Sequence, residues 1–265
     1  MAILESRTKT GLSWVKECIA LFKTAPRKWL LLGLAYVSIF MMLPGLPGLQ
    51  FFAFLSIFLM PVFLVFAAIM YRNADMQKQQ TMQEILTHIK PKLKQLMALG
   101  AVCFLYGILI SLVLNSDIEN LLKLMQLQDI AAKTQSSEIM QTKMIQTVLP
   151  LFLKLILFLI PLLMATWFSP MLIALNNYDC LKAIKSSVAG CIQYTVALGA
   201  AWLVFSAGIV LLMLVSGIIV GIIGSLAPQL GQLLTSLLVF GCLLLATTLM
   251  LAFQYVSYRD VFRAA

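Results

Sequence analysis

Long apolar stretches alternate with short polar ones along this chain, and the lengths of the apolar ones are diagnostic. Almost uncharged runs cover residues 29–42, 51–71, 96–114, 147–175, 195–224 and 230–255. A helix rises about 1.5 Å per residue, so roughly 20 apolar residues cross the ~30 Å hydrocarbon core of a bilayer. The pattern predicts six transmembrane helices. PGLPG at 44–48 and SLAPQLGQ at 225–232 are uncharged and rich in turn-forming residues, so each reads as a tight connection between two spans.

The polar segments before the odd-numbered spans have helical spacing. In TMQEILTHIKPKLK (81–94), Met82, Ile85, Leu86 and Ile89 recur every three or four residues, and Thr81 with Glu84 forms a capping box. In SWVKECIALFK (13–23) the apolar face is Trp14, Cys18, Leu21 and Phe22, and DCLKAIKSSV (179–188) is the third copy. Such segments predict amphipathic helices in the plane of the interface, apolar face below the headgroups and lysines among them, with Trp14 and Trp29 at the boundary.

Each of these helices leads into a related motif: LLGLAY (31–36), ALGAVC (98–103) and ALGAAW (197–202). The units end alike as well, in MYRNA (70–74), NNYD (176–179) and SYRDV (257–261). The chain therefore reads as one membrane domain, residues 1–265, built from three pseudo-repeats at about 13–72, 81–178 and 179–259, each an interfacial helix plus a hairpin of spans. The fold class expected is all-α, a polytopic membrane helix bundle. Residues 115–146 form the one sizeable external loop. There Ser116 and Glu119 make a second capping box, and Ile118, Leu121, Leu122 and Met125 give a helix that rests on the outer surface or binds a partner.

Composition removes the soluble alternative: 62% of residues are hydrophobic, 11% are charged, and the mean hydropathy is +0.98. The net charge of +9 is better explained by topology than by nucleic acid. All lysines and arginines except Lys123, Lys133, Lys143 and Lys154 fall on one side of the predicted spans. Cytoplasmic loops retain such residues, so both termini are expected in the cytoplasm. Lys16, Lys23, Arg27, Lys28, Lys90, Lys92, Lys94, Lys182 and Lys185 are the expected contacts to anionic headgroups or a partner, at about 1 kcal/mol per cation near the surface. The first apolar run has no small-residue cleavage site after it and reads as a retained span. The five cysteines lie in spans or on the basic side, without metal-ligand spacing, and no disulfide or metal is expected.

Candidate chemistry is sparse. The single histidine, His88, lies on the second interfacial helix and reads as a polar surface residue. There is no nucleophile elbow, phosphate loop or metalloprotease motif, so no catalytic residue and no cofactor is assigned. Lys154 is the one cation at span depth. A centred charge costs about 2.5 to 3.5 kcal/mol, but 155–175 is long enough to span alone, so Lys154 is expected to snorkel to the outer boundary. No carboxylate falls within a predicted span to pair with it. Lys154, Ser169, Thr247 and Thr248 are the residues a polar intramembrane pathway would use. Prolines 61, 150, 161 and 170 are expected to kink spans, and Gly217 with Gly221 permits close helix approach within the protein or across a dimer.

The run WFSPMLIALNNYDCLKAIKSS (167–187) together with the terminal SYRDVF resembles an uncharacterised family of six-span inner-membrane proteins of Gram-negative bacteria. That family is similar in layout to the membrane domain attached to some glycerophosphodiester phosphodiesterases. The resemblance implies an inner-membrane location and supplies no catalytic residues. Asn176, Asn177 and the enlarged external loop depart from the pattern, and no phosphodiesterase domain is present. The resulting expectation is a non-enzymatic inner-membrane protein acting through lipids, a membrane protein partner or a second copy of itself, as a scaffold or modulator of a membrane or envelope complex. The alternative is a transporter or lipid-handling protein, which requires a polar or water-filled cavity between spans.

Overall fold

The computed structural model describes residues 2–131 and 137–262, with side chains described for 6–123 and 146–262. Among these residues every regular element is helical, in the order α1 (Ala2–Thr24), α2 (Pro26–Val37), a π turn (Ser38–Met42), α3 (Leu43–Gly45), α4 (Phe51–Asp75), α5 (Met82–Ile89), a 3-10 turn (Lys90–Lys92), α6 (Leu93–Ala131), α7 (Ser137–Trp167), α8 (Ser169–Leu175), α9 (Cys180–Gln193), α10 (Thr195–Leu226) and α11 (Pro228–Phe262). Six helical segments are long and apolar enough to cross a membrane: Pro26–Gly45, Phe51–Asp75, Met82–Lys123, Gln146–Leu175, Thr195–Leu226 and Pro228–Phe262. They match the six runs in the sequence. The protein is an all-helical, multi-pass membrane protein.

Local chemistry sets the ends of these helices. Pro26 occupies the first turn of α2, where its missing N–H would have no partner anyway. The π turn runs into Pro44, whose ring removes the N–H owed to the Phe40 carbonyl. Gly48 then takes a left-handed backbone, φ +82°, in the turn to α4. The capping box at Thr81 and Glu84 forms, with both hydrogen bonds present. α4 and α8 both stop at a left-handed residue. Gln77 and Asn177 have φ 53° and 57°, and the next residue's N–H reaches back over the helix end, Lys78 five residues to the Asn73 carbonyl at 2.8 Å and Tyr178 six residues to the Leu172 carbonyl at 3.2 Å.

One expectation fails at α6. The sequence suggested a span ending near Leu114 and a separate helix capped by Ser116. The observed helix instead runs from Leu93 to Ala131, 39 residues or about 58 Å, with Ser116 in its interior. A capping box acts only where a helix starts, and nothing between Leu114 and Ala131 stops one: the stretch has no Gly or Pro. Restarting the helix would leave about four carbonyls and four N–H groups to be satisfied anew. Glu119 accepts from Asn115 Nδ2 at 2.9 Å, one turn away on the same helix. The middle of the expected loop and the side chain of Met125 lie outside the described residues.

The spans pack in the order α10, α11, α2 with its π turn, α4, α6, α7, and α11 also packs on α4, so α2 lies beside the α11–α4 pair. Aromatic contacts bridge α2 and its π turn to α4 through Tyr36, Phe40 and Phe63, and α4 to α6 through Phe54, Phe58 and Phe104. α7 and α10, the two ends of this arc, do not pack along each other among the described residues. No residue in the most apolar stretch of either is buried. The core lies instead at the end where the lysines and arginines gather, here termed the basic end. There Trp14, Trp29, Tyr71, Phe168, Met171, Leu172, Ile173, Phe253, Tyr255 and Tyr258 are nearly or fully sequestered. α8, seven residues long, is buried over Ser169–Ala174 and fills the middle of that end, packed on α4, α6, α7 and α9.

α1 and α5 pack onto the spans by part of the faces that the sequence placed in the headgroup layer, and α9 packs on α7 and α8 through Ala183, Ser187, Gly190 and Cys191. Trp14, Cys18 and Leu21 of α1 are buried against α10, α11 and α4, and Ile85 and Ile89 are buried while Met82 and Leu86 stay exposed. Protein, not lipid, covers the buried positions. Glycine lets two of these seams close. A Cβ at Gly11 would sit 2.3 Å from the Ala197 carbonyl oxygen, and one at Gly100 2.8 Å from Phe58 Cα, whereas Gly107 on the same helix has open space. Gly100→Ala is expected to lower stability by about 1–3 kcal/mol through overpacking, while Gly107→Ala is neutral or slightly stabilising. Thermal unfolding of both variants in the same detergent checks this, and equal midpoints would refute the close seam.

Candidate functional site

The polar side chains of the protein collect at the basic end, where the exits of α4, α8 and α11 converge. α4 leaves through Tyr71-Arg72-Asn73, α8 through Asn176, and α11 through Tyr258-Arg259-Asp260. Tyr71 is fully buried, stacks on Trp29 at 4.2 Å between ring centroids, and donates to the Thr248 carbonyl at 3.0 Å. Tyr258, also buried, donates to Asn176 Oδ1. Two copies of one aromatic-basic motif thus do parallel work, each tying a span exit to a neighbouring element.

Arg259 is the hub. One guanidinium nitrogen donates to Asp75 Oδ2 at 2.7 Å and the other to Glu17, so α11, α4 and α1 are joined through one side chain. Tyr255 adds a second donor to Asp75 at 2.8 Å. One position along, Trp14 Nε1 donates to Asp260 at 2.8 Å and again ties α1 to α11. Arg259 lies in the last turn of its helix, where the carbonyl end of the helix dipole favours a cation.

A second set of bonds repairs a broken helix. α7 stops at Trp167 and α8 begins at Ser169 with Pro170 in its first turn. Ser187 of α9, fully buried, accepts from the Phe168 N–H at 3.0 Å and donates to the Met164 carbonyl at 2.6 Å. Gln254 donates to the Trp167 carbonyl at 2.7 Å, and the Ser169 hydroxyl donates to the Ala165 carbonyl. One hydroxyl from a neighbouring helix therefore serves two backbone groups that the break sets free.

The residues proposed for an intramembrane pathway are not brought together. Ser169 is buried and bonded within its own chain turn, and Thr248 bonds to the Leu244 carbonyl at 2.7 Å and the Trp29 carbonyl at 3.3 Å beside Gly33. Thr247, its neighbour, is half-buried. Lys154 pairs with Asp117 of α6 at 2.8 Å and stays half exposed. The sequence missed this carboxylate because it placed Asp117 in a loop; the continuous α6 carries it back alongside α7. The hub was missed too. The Tyr-Arg motif was visible, but its partners Glu17 and Asp75 lie 242 and 184 residues away in the chain.

Of the expected surface cations, Lys16, Lys23, Arg27, Lys28, Lys90, Lys94, Lys182 and Lys185 are exposed and Lys92 is half-buried. Lys182 lies over the Tyr178 ring at 4.2 Å and Lys28 over Trp29 at 5.4 Å. His88 is exposed. Burial, reinforced by the Glu17 carboxylate, pushes the Cys18 thiol well above its ordinary pKa. Burial pushes Cys191 up to about 12 against the opposing Ser187 hydrogen bond, and it also raises Cys180. None of the described residues forms a group of three or more His, Cys, Asp or Glu able to hold a metal ion. As chemistry, the arrangement is a clamp: its carboxylates face a guanidinium, and its buried hydroxyls bond to carbonyls or to one another's elements.

No protein family, curated protein or solved structure matches this chain.

Ser187→Ala strips a buried N–H and a buried carbonyl of their partner. It is expected to cost about 2–6 kcal/mol, at the usual 1–3 kcal/mol for each of the two orphaned groups, with Ser187→Thr recovering part of it. Arg259→Met leaves Asp75 and Glu17 facing each other without the guanidinium. It is expected to loosen α1, read as faster proteolysis within residues 6–24 of the detergent-solubilised protein; an unchanged cleavage rate would remove Arg259 as the hub.

Proposed function

We propose that this is a non-enzymatic multi-pass protein of a bacterial inner membrane, with both termini in the cytoplasm, that acts by contact with a membrane partner or lipids as a scaffold or modulator of a membrane complex. The observation that carries the reading is where polarity is spent. The Arg259 hub, the Ser187 repair and the buried tyrosines are committed to holding helices together. What faces outward is apolar span surface, above all on α7 and α10, and a belt of lysines and arginines at one end.

The cytoplasmic assignment follows from that belt, because basic residues are retained on the cytoplasmic side. The inner-membrane assignment follows from the family resemblance of the 167–187 and terminal segments. Triplication of one unit is part of the proposal; the left-handed ends of α4 and α8 and the placement of Gly33 and Gly100 at close helix seams support kinship of the first two units, while Gly199 of the third has open space.

A lipid-handling role is the second reading, favoured by the open side of the arc between α7 and α10. A polar transport pathway is not favoured, since Lys154, Ser169 and Thr248 each have separate partners.

Crosslinking in native membranes followed by mild-detergent purification and mass spectrometry tests the leading reading. A stoichiometric protein or lipid partner is expected, weakened when the interfacial lysines are replaced; a partner-free protein without enriched lipid would count against it. Orientation is tested by a membrane-impermeant maleimide. Cys180 is expected to react only in inverted vesicles, and faster as pH rises because its raised pKa keeps the thiolate scarce near neutrality. Labelling in intact spheroplasts would reverse the topology.

A further inference from the structure

The contact reading leaves open what the basic end touches, and the second faces of α1, α5 and α9 answer it. Each of these helices packs one face on the spans and leaves another exposed. On α1 the exposed positions Leu12, Lys16, Ile19 and Lys23 follow the i, i+4, i+7, i+11 spacing of a single helix face. On α5 and the turn after it, Met82, Leu86 and Lys90 follow i, i+4, i+8, and on α9 Leu181, Lys185 and Ile192 share a face with Lys182 beside it. Large apolar side chains are strongly exposed here, Leu181 at 70%, Ile192 at 62% and Met82 at 60%; Leu181 adjoins Lys182, and Ile192 and Met82 lie about two turns along the face from Lys185 and Lys90.

The charge on these faces has one sign. Of charged residues only lysines stand on these stripes; of the nearby carboxylates Glu17 is paired with Arg259, while Glu84 and Asp179 lie off the stripes, accept from the Thr81 N–H and the Gln95 amide, and are outnumbered by the lysines. Lys16, Lys23, Lys90, Lys94 and Lys185 have no ion-pair partner among the described residues. An acidic soluble protein would match the lysines but would leave Leu181 and Met82 to be covered by some other apolar surface. A leaflet of anionic phospholipid matches both at once, with hydrocarbon below the glycerol layer and phosphate just above it.

We propose that α1, α5 with the turn and first residues of α6 that follow it, and α9 form a collar that binds anionic phospholipid headgroups, with Lys16, Lys23, Lys90, Lys94, Lys182 and Lys185 on the phosphates and the exposed apolar side chains in the acyl layer. The inference rests on the contact reading and names one of its ligands. The test places purified full-length protein in nanodiscs of phosphatidylcholine alone or of an equimolar mixture with phosphatidylglycerol. Thermal unfolding is followed, and co-purified lipid is identified by native mass spectrometry.

The anionic discs are expected to raise the unfolding midpoint by several degrees, and salt is expected to erase most of the gain. The combined Lys90→Gln, Lys94→Gln, Lys182→Gln and Lys185→Gln variant is expected to lose most of it while folding normally in phosphatidylcholine. Lys123→Gln, at the far end, should keep it. Equal midpoints in both lipids, or a quadruple variant with the full preference, would overturn the collar. Stronger retention of a polyglutamate peptide than of phosphatidylglycerol would overturn it in favour of an acidic protein. A protein partner that still co-purifies from native membranes in any of these cases leaves the contact reading standing.

Discussion

Within hydrocarbon there is no water to satisfy a free N–H or carbonyl, and the architecture of this protein turns on how it meets that constraint where a helix breaks. The fourth span is interrupted at Phe168, ahead of Pro170. An interruption there frees backbone groups on both sides, each costing several kcal/mol if left bare. The Ser187 hydroxyl and the Gln254 side chain take them up. For these to reach, α9 must lie against α7 and α8, and α11 must pass beside Trp167. The positions of three elements follow from one proline.

The break also explains why the buried core is lopsided. Once α8 is detached from α7 it can turn into the centre of the basic end, where six of its seven residues are buried. The aromatic residues of α1, α2, α4 and α11 belong to the same buried cluster, and Arg259 locks its rim with the carboxylates of Asp75 and Glu17. These charges are only partly desolvated, so the guanidinium holds its two partners without the full penalty of a buried ion pair. Away from this end the most apolar stretches of α7 and α10 bury no residue among those described, and these two helices do not pack along each other.

Much of this was legible in the sequence because the bilayer fixes length and polarity so strictly. The six spans and the Thr81 capping box come from spacing alone. Two features did not, for different reasons. The Ser116 box is a genuine local signal, but a cap needs a preceding stop, and the uninterrupted helix from Leu93 overrides it. The Arg259 hub depends on tertiary placement: no local rule says that a guanidinium in the last turn of α11 will meet Glu17 in α1. The same limit applies to Lys154. Its charge marked it as unusual, yet whether it was a functional site depended on where Asp117 ended up.

The apolar face of α1 and half of that of α5 show how a correct pattern can be assigned to the wrong surface. Periodicity identifies that a helix has an apolar side and cannot say what covers it. Trp14, Cys18, Ile85 and Ile89 turned out to be covered by the protein's own spans. Had these helices possessed only that one face, their outward sides would be uniformly polar, as on a helix meeting water. Leu12, Ile19, Met82, Leu86, Leu181 and Ile192 break that uniformity, and they do so on faces shared with lysines along α1, α5 with its following turn, and α9. A surface that is apolar and cationic at adjacent positions suits neither bulk water nor bulk hydrocarbon. It suits the narrow layer between them, and a helix bearing both a protein-facing and a membrane-facing stripe couples the packing of the basic end to the lipids around it.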